Sequence, residues 1–112
     1  MENNIIKIAI TSSDGVNLDL HFGQAKSLYV YDFNGETADF IEKRIASIKD
    51  GEKHQWQNVL NKILDCNVVI TVQAGFKSKM GIESEGLKLI EDSGPIEDVL
   101  ERFINHYKFI RS

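Results

Sequence analysis

A chain of 112 residues with 42% hydrophobic and 27% charged residues is long enough to bury a core without staples, and its composition is neither that of a disordered segment nor that of a membrane protein. The net charge of −4, with Lys and Arg interspersed among acids, excludes the clustered basic surface of a nucleic-acid binder. The one cysteine, Cys66, excludes an internal disulfide and a multi-thiolate zinc or iron-sulfur centre within a single chain.

Residues 5–11 are nearly continuous apolar and rich in isoleucine, the pattern of a strand buried on both faces of a sheet. The run is too short to span a membrane and too interrupted for a signal peptide, so a cytoplasmic protein without a membrane partner is expected. Turn chemistry follows at Ser12, Ser13, Asp14 and Gly15, and residues 12–24 read as one long surface loop, a length that is usually functional. Residues 27–33 predict a second strand, Asn34-Gly35 a hairpin turn, and residues 37–47 a third strand, its apolar residues Phe40, Ile45 and Ile48 alternating with polar ones.

Beyond Asp50-Gly51 the period changes to about 3.6. Trp56, Val59, Leu60, Ile63 and Leu64 then share one face of a helix expected over residues 52–65, with Asp50 as its cap. Residues 67–72 predict a buried strand, and residues 78–85 a short helix closed by Gly86. Residues 87–91 make a fifth strand, and Pro95 opens a last helix whose apolar face is Ile96, Val99, Leu100, Phe103, Ile104 and Tyr107. Nothing marks a linker, so a single domain over 1–112 is expected. With right-handed crossovers the order β-β-β-α-β-α-β-α gives an α/β fold with a five-stranded mixed sheet, strand order 3-2-1-4-5, and three helices, a topology that resembles the ribonuclease H-like architecture.

Ligands of open α/β sheets bind beyond the carboxyl ends of the parallel strands. That edge receives Ser12 from the first strand, Gly75 from the fourth, the loop with His21, Phe22 and Gly23, and the start of the first helix with His54. The second helix also begins there, near Lys77, with free N–H groups that favour an anion. Cys66 and His106 fall at the opposite edge, Cys66 as a small core residue and His106 near helix-end carbonyls. The first strand offers Lys7 and Thr11 where a two-metal nuclease needs carboxylates, and no P-loop, dinucleotide fingerprint or nucleophile elbow is present, so no enzymatic activity is expected.

The stretches Lys7-Ile8-Ala9-Ile10, His21-Phe22-Gly23-Gln24-Ala25, Asp65-Cys66-Asn67-Val68-Val69-Ile70 ahead of Gly75, and the closing helix of residues 96–107 together resemble the dinitrogenase iron-molybdenum cofactor biosynthesis family, which includes NifX-type proteins and the C-terminal domain of NifB. The resemblance implies a role in binding an iron-sulfur or iron-molybdenum cluster, or its precursor, during assembly of the nitrogen-fixation cofactor. It implies His21 as the metal contact, with other cofactor-assembly proteins as partners and with folding independent of the cluster. Members of that family often carry cysteines where this chain has Ile48-Lys49-Asp50 and Gly75-Phe76-Lys77-Ser78, and thiolates are the usual cluster anchors. Two readings therefore stand: a non-enzymatic carrier of a metal-sulfur cluster bound through His21, Phe22, Gly23, Ser12, Gly75, Lys77 and His54, or a metal-free module that uses the same edge for a small anion or a protein.

Overall fold

The computed structural model describes residues 4–49 and 55–111. His54 and Asp50 lie outside the described residues. Five strands, β1 (Ile6–Thr11), β3 (Ser27–Phe33), β4 (Ala38–Ile45), β5 (Val68–Thr71) and β6 (Lys88–Glu91), form one mixed sheet. Its order is β4-β3-β1-β5-β6, with β1 antiparallel to β3 and parallel to β5, and β5 parallel to β6. The numerals differ from the expected 3-2-1-4-5 because β2 (Asn17–Leu18) takes a number without joining this sheet. It pairs instead with β7 (Gly94–Pro95), a two-residue ladder inside what the sequence reads as loop.

Strand β1 is central, and its side chains feed two cores. Ala9 joins Phe22, Leu28, Val30, Val59, Ile63, Val69 and Ile82 on the face covered by α1 (Trp56–Leu60) and α2 (Phe76–Ser84). Ile8 and Ile10 join Phe33, Val68, Ile70, Val99 and Leu100 on the face covered by α3 (Ile96–Arg111). There the Phe33 ring meets Phe103 and Tyr107 edge-on, with centroids 5.5 and 4.9 Å apart. Burial on both faces is why β1 reads as an unbroken apolar run.

Three expectations change. The helix expected over residues 52–65 is helical, within the described part, only from Trp56 to Leu60. Past it the backbone tightens into successive three-residue turns, Lys62 N–H to the Val59 carbonyl, Ile63 to Leu60 and Cys66 to Ile63. The tighter winding keeps Ile63 fully buried and turns Leu64 outward, half exposed, so Leu64 leaves the apolar face assigned to it. In β4 a bulge breaks the alternation: Val30 pairs with Glu42 and Tyr31 with Phe40, leaving Ile41 as the extra residue. Phe40 and Ile45 sit exposed on this edge strand. The second helix begins at Phe76, two residues early, because Gly75 in extended conformation serves as its N-cap.

Other local signals have their expected roles. Asn34 Oδ1 accepts the Glu36 and Thr37 N–H groups at 2.8 and 2.9 Å, with Gly35 at φ +99° completing the hairpin. Gly86, at φ +85°, ends α2 and lets the Leu87 N–H return to the Ile82 carbonyl at 3.1 Å. Among the described residues no helix is long and apolar enough to cross a membrane.

Candidate functional site

At the carboxyl ends of β1 and β5 the chain builds a clamp. Thr11 Oγ1 lies 2.8 Å and Thr71 Oγ1 3.0 Å from the Leu20 carbonyl oxygen, and the hydroxyls are 2.9 Å from each other. The Val72 N–H donates to the same carbonyl at 3.2 Å, and the Phe22 N–H donates to the Gln73 carbonyl at 2.9 Å. The loop that arrives from β1 is thus stitched to the end of β5 on both sides of His21. Both threonines are fully buried, so these bonds satisfy polar groups that water cannot reach.

The stitching fixes one side of a cleft of about 390 Å³ lined by His21, Gly23, Gln24, Gln55, Trp56, Gln73, Gly75 and Ser78. His21 caps a 3-10 turn (Phe22–Gln24) and stands exposed, while Phe22 points the other way and is completely buried. Opposite, α2 starts at Gly75 with no side-chain cap, and its first intrahelical bond is from Lys79 N–H to the Gly75 carbonyl at 2.9 Å. The N–H groups of Phe76, Lys77 and Ser78 therefore have no acceptor within the helix and carry its positive end. Glu91, at the end of β6, accepts the Ala74 N–H at 3.0 Å and lies 3.7 Å from Lys79 Nζ, which holds the turn before α2. Gln55 is pinned at the third side: its side chain accepts the Lys49 N–H at 2.5 Å and donates to the Lys49 carbonyl at 2.6 Å.

The cleft thus gathers three of the residues expected at this edge, His21, Gly23 and Gly75. Phe22 contributes its backbone, its ring being part of the core. Ser12 is absent from the lining and fully buried; its hydroxyl donates to the Asn17 carbonyl at 2.5 Å and accepts the Gly15 N–H at 2.9 Å, so it shapes the preceding loop. Lys77 is exposed on the first turn of α2, beside the cleft and outside its lining. Asp14 and Asp19 serve their own loop: Asp14 Oδ1 accepts the Val16 and Asn17 N–H groups, which hold its carboxyl below the usual range, and Asp19 Oδ1 accepts the Ser13 N–H. Sequence reasoning missed Trp56 as a wall, having read it as helix core, and missed Glu91 as an anchor. The latter had a signal in being an acid at the carboxyl end of a strand.

At Gly23 and Gly75 an added Cβ would meet nothing within 4 Å, and neither residue is among those at positive φ. Gly23 is therefore not required by the backbone. Its missing side chain leaves the cleft open. The donors available to a bound group are one imidazole, the Gln24 and Gln73 carboxamides, a hydroxyl and the α2 amides. Among the described residues no three of His, Cys, Asp and Glu come together to hold a bare metal ion. Cys66 is buried, and that burial, with the Asp65 charge beside it, pushes the thiol up to about 11. Such a donor set suits a preformed anionic cluster held by one ligand and hydrogen bonds.

A family model described as dinitrogenase iron-molybdenum cofactor matches residues 4–106. The FeMo cofactor biosynthesis protein NifB of Chlorobaculum tepidum is 27% identical over 95 residues, 83% of this chain, and the chain spans only 22% of that relative's length. Among solved structures, the apo form of the orange protein from Desulfovibrio gigas superimposes with a TM-score of 0.73 at 18% identity, covering 95% of this chain and 92% of that one. A protein of Methanocaldococcus jannaschii described as a putative dinitrogenase gives 0.62 at 10% identity, covering 96% and 93%. At these identities the two structures speak for the fold alone.

Proposed function

The chain belongs to the dinitrogenase iron-molybdenum cofactor family, and on that premise we propose that it is a non-enzymatic carrier of an iron-sulfur or iron-molybdenum cluster, or of a precursor, taken as cargo into the His21 cleft. The observation that carries the reading is the juxtaposition across one 390 Å³ cleft of an exposed imidazole and the uncapped start of α2. His21 supplies a nitrogen ligand, and the α2 amides and Ser78 offset cargo charge without salt bridges. One ligand and several hydrogen bonds hold cargo reversibly, as transfer to another assembly protein requires. The five-stranded mixed sheet also supports placing the domain in the ribonuclease H-like class. The site is read as working inside the cell, where thiol-free anchoring and a reduced Cys66 suit an anaerobic assembly line.

The test is anaerobic incubation with a synthetic iron-sulfur cluster, followed by desalting and absorption spectra of wild type and His21→Ala. Wild type retains the cluster and the variant loses most of it; equal retention removes His21 from the site and the reading with it. The free α2 amides favour one alternative, a metal-free module that binds a small anion at the same edge. Phosphate binding to metal-free protein that is unchanged in His21→Ala would select that alternative.

A further inference from the structure

Ser78 is the third residue of α2 and lines the cleft, although only 5% of it is exposed. Its hydroxyl has no hydrogen-bond partner among the described residues, and no fully enclosed side-chain oxygen or nitrogen among them lacks one. The Ser78 hydroxyl is therefore not sealed in the core; it opens into the cleft, where it meets water or a bound group. Gln55, the other buried polar residue of the lining, is already committed to both backbone groups of Lys49. The turn that carries Ser78 also holds the free N–H groups of Phe76, Lys77 and Ser78, since the first bond back to Gly75 comes from Lys79. One helical turn thus presents three amides and a hydroxyl without acceptors.

Charged acceptors are what the lining lacks. The chain has 17 acidic residues, yet none lines the cleft. Glu91 is occupied by the Ala74 N–H and lies 3.7 Å from Lys79 Nζ. A protonated oxyanion must place its own O–H on an acceptor, whereas a fully deprotonated one needs donors alone.

We propose that the α2 end of the cleft binds a fully deprotonated tetrahedral dianion, the chemistry shared by sulfate and by metal oxyanions such as molybdate. Ser78 is the selecting residue, and His21 donates from the facing wall, its imidazole carrying at least one N–H in either protonation state. The helix end supplies favourable charge as well as donors. Oxygen accepts these bonds better than sulfur does, so the dianion competes for this end with a sulfide-faced cluster. The competition rests on the reading of the cleft as a cargo site; the binding of the dianion does not.

The test is an NMR titration of metal-free 15N-labelled protein at about pH 8 with sulfate, molybdate, phosphate and chloride at constant ionic strength. Sulfate and molybdate should give saturable shifts centred on the amides of Phe76, Lys77 and Ser78, and the tighter of the two tells whether the ion is a sulfur or a metal oxyanion. Phosphate, which keeps one proton at this pH, should bind about tenfold more weakly, and chloride should not saturate. Ser78→Ala should weaken sulfate about tenfold and His21→Ala about threefold. Equal affinity in Ser78→Ala, phosphate as tight as sulfate, or shifts that do not saturate would each overturn the proposal. Saturating sulfate should also lower cluster retention by wild type several-fold relative to chloride, and unchanged retention would overturn the competition. A wild type that retains no cluster even without sulfate would instead overturn the carrier reading and leave the dianion site standing.

Discussion

The hydroxyls of Thr11 and Thr71, sixty residues apart in the chain, lie 2.9 Å from each other and both reach the Leu20 carbonyl. Two hydroxyl protons serve three short contacts, so the trio works as a unit. The parallel register that sets Ile10 opposite Ile70 continues into this pair, and the position of His21 is therefore fixed by the two central strands of the sheet. Thr71→Val keeps the shape and removes one proton, which should cost about 1 kcal/mol in urea unfolding. Adding Thr11→Val should cost less than the sum of the single changes, because each hydroxyl's bond depends on the other. Strictly additive losses would show that the two do not act together.

Gly23→Ala separates site from scaffold. The added methyl meets open space at an ordinary φ, and replacing glycine where the backbone permits alanine stabilises by about 0.4–1 kcal/mol through the unfolded chain. Thermal stability should therefore hold or rise while cluster retention falls, since the methyl enters the cleft. A fall in both together would mean that the glycine is structural after all.

Much of this arrangement was legible because the strongest signals are local. The unbroken apolar runs of β1 and β5, the Asn34-Gly35 turn and the Gly86 cap each follow from residues within a few positions of one another. The convergence of His21, Gly23 and Gly75 was legible too, since it follows from strand direction. What was not legible depends on distant partners. Periodicity places Leu64 with Ile63, yet the turn that separates them goes with the full burial of Ile63 in the core cluster and the exposure of Leu64. Ser12 looks like a ligand in sequence, and only the fold shows its hydroxyl committed to Asn17 and Gly15. Phe22 sits beside His21 in the motif, but a 3-10 turn sends the two side chains opposite ways.

The Arg44–Asp65 pair predicts part of the acid response. Arg44 Nη1 and Nη2 donate to the Asp65 oxygens at 2.6 and 2.9 Å, and Nη1 also donates to the Lys62 carbonyl at 2.7 Å. These bonds lower the Asp65 carboxyl from 3.8 to about 2. A carboxyl whose folded value is depressed contributes stability above its unfolded value and loses it as pH falls through the folded one, here between about pH 4 and pH 2. Asp65 is half exposed, so solvent screening holds the effect to about 1 kcal/mol or less. Asp65→Asn should remove that part of the slope of unfolding free energy against pH; an unchanged slope would assign acid sensitivity to other groups.

Cys66 should be inert to thiol reagents in the native state, being buried and with its thiol pushed up to about 11. Labelling by an aromatic disulfide at pH 8 should require denaturant, and Cys66→Ala should leave cluster retention unchanged. Prompt labelling of folded protein would place the thiol at the surface and reopen it as an anchor.

Gly81 and Trp56 give the last prediction, because here two effects of similar size oppose each other. Gly81 lies inside α2, where alanine is favoured over glycine by about 1 kcal/mol. Yet a Cβ there would clash outright with Trp56 Cζ3 and fall 3.0 Å from Cη2 and 3.3 Å from Cε3, so the indole must shift to admit it. Overpacking costs typically 1–3 kcal/mol when neighbours cannot yield. Trp56 can yield, since it is half-buried and borders the cleft on one side and a groove of about 310 Å³ on the other. The displacement therefore absorbs most of the clash, and Gly81→Ala should stay within about 1 kcal/mol of wild type in stability. The indole should move, and as the chain's only tryptophan it reports this directly through a shift in its emission maximum. Cluster retention should fall because the wall of the cleft has moved, and Trp56→Phe placed on top of Gly81→Ala should restore it by giving the methyl room. An unchanged emission spectrum, or a phenylalanine variant that fails to restore retention while remaining folded, would show that Gly81 does not set the wall.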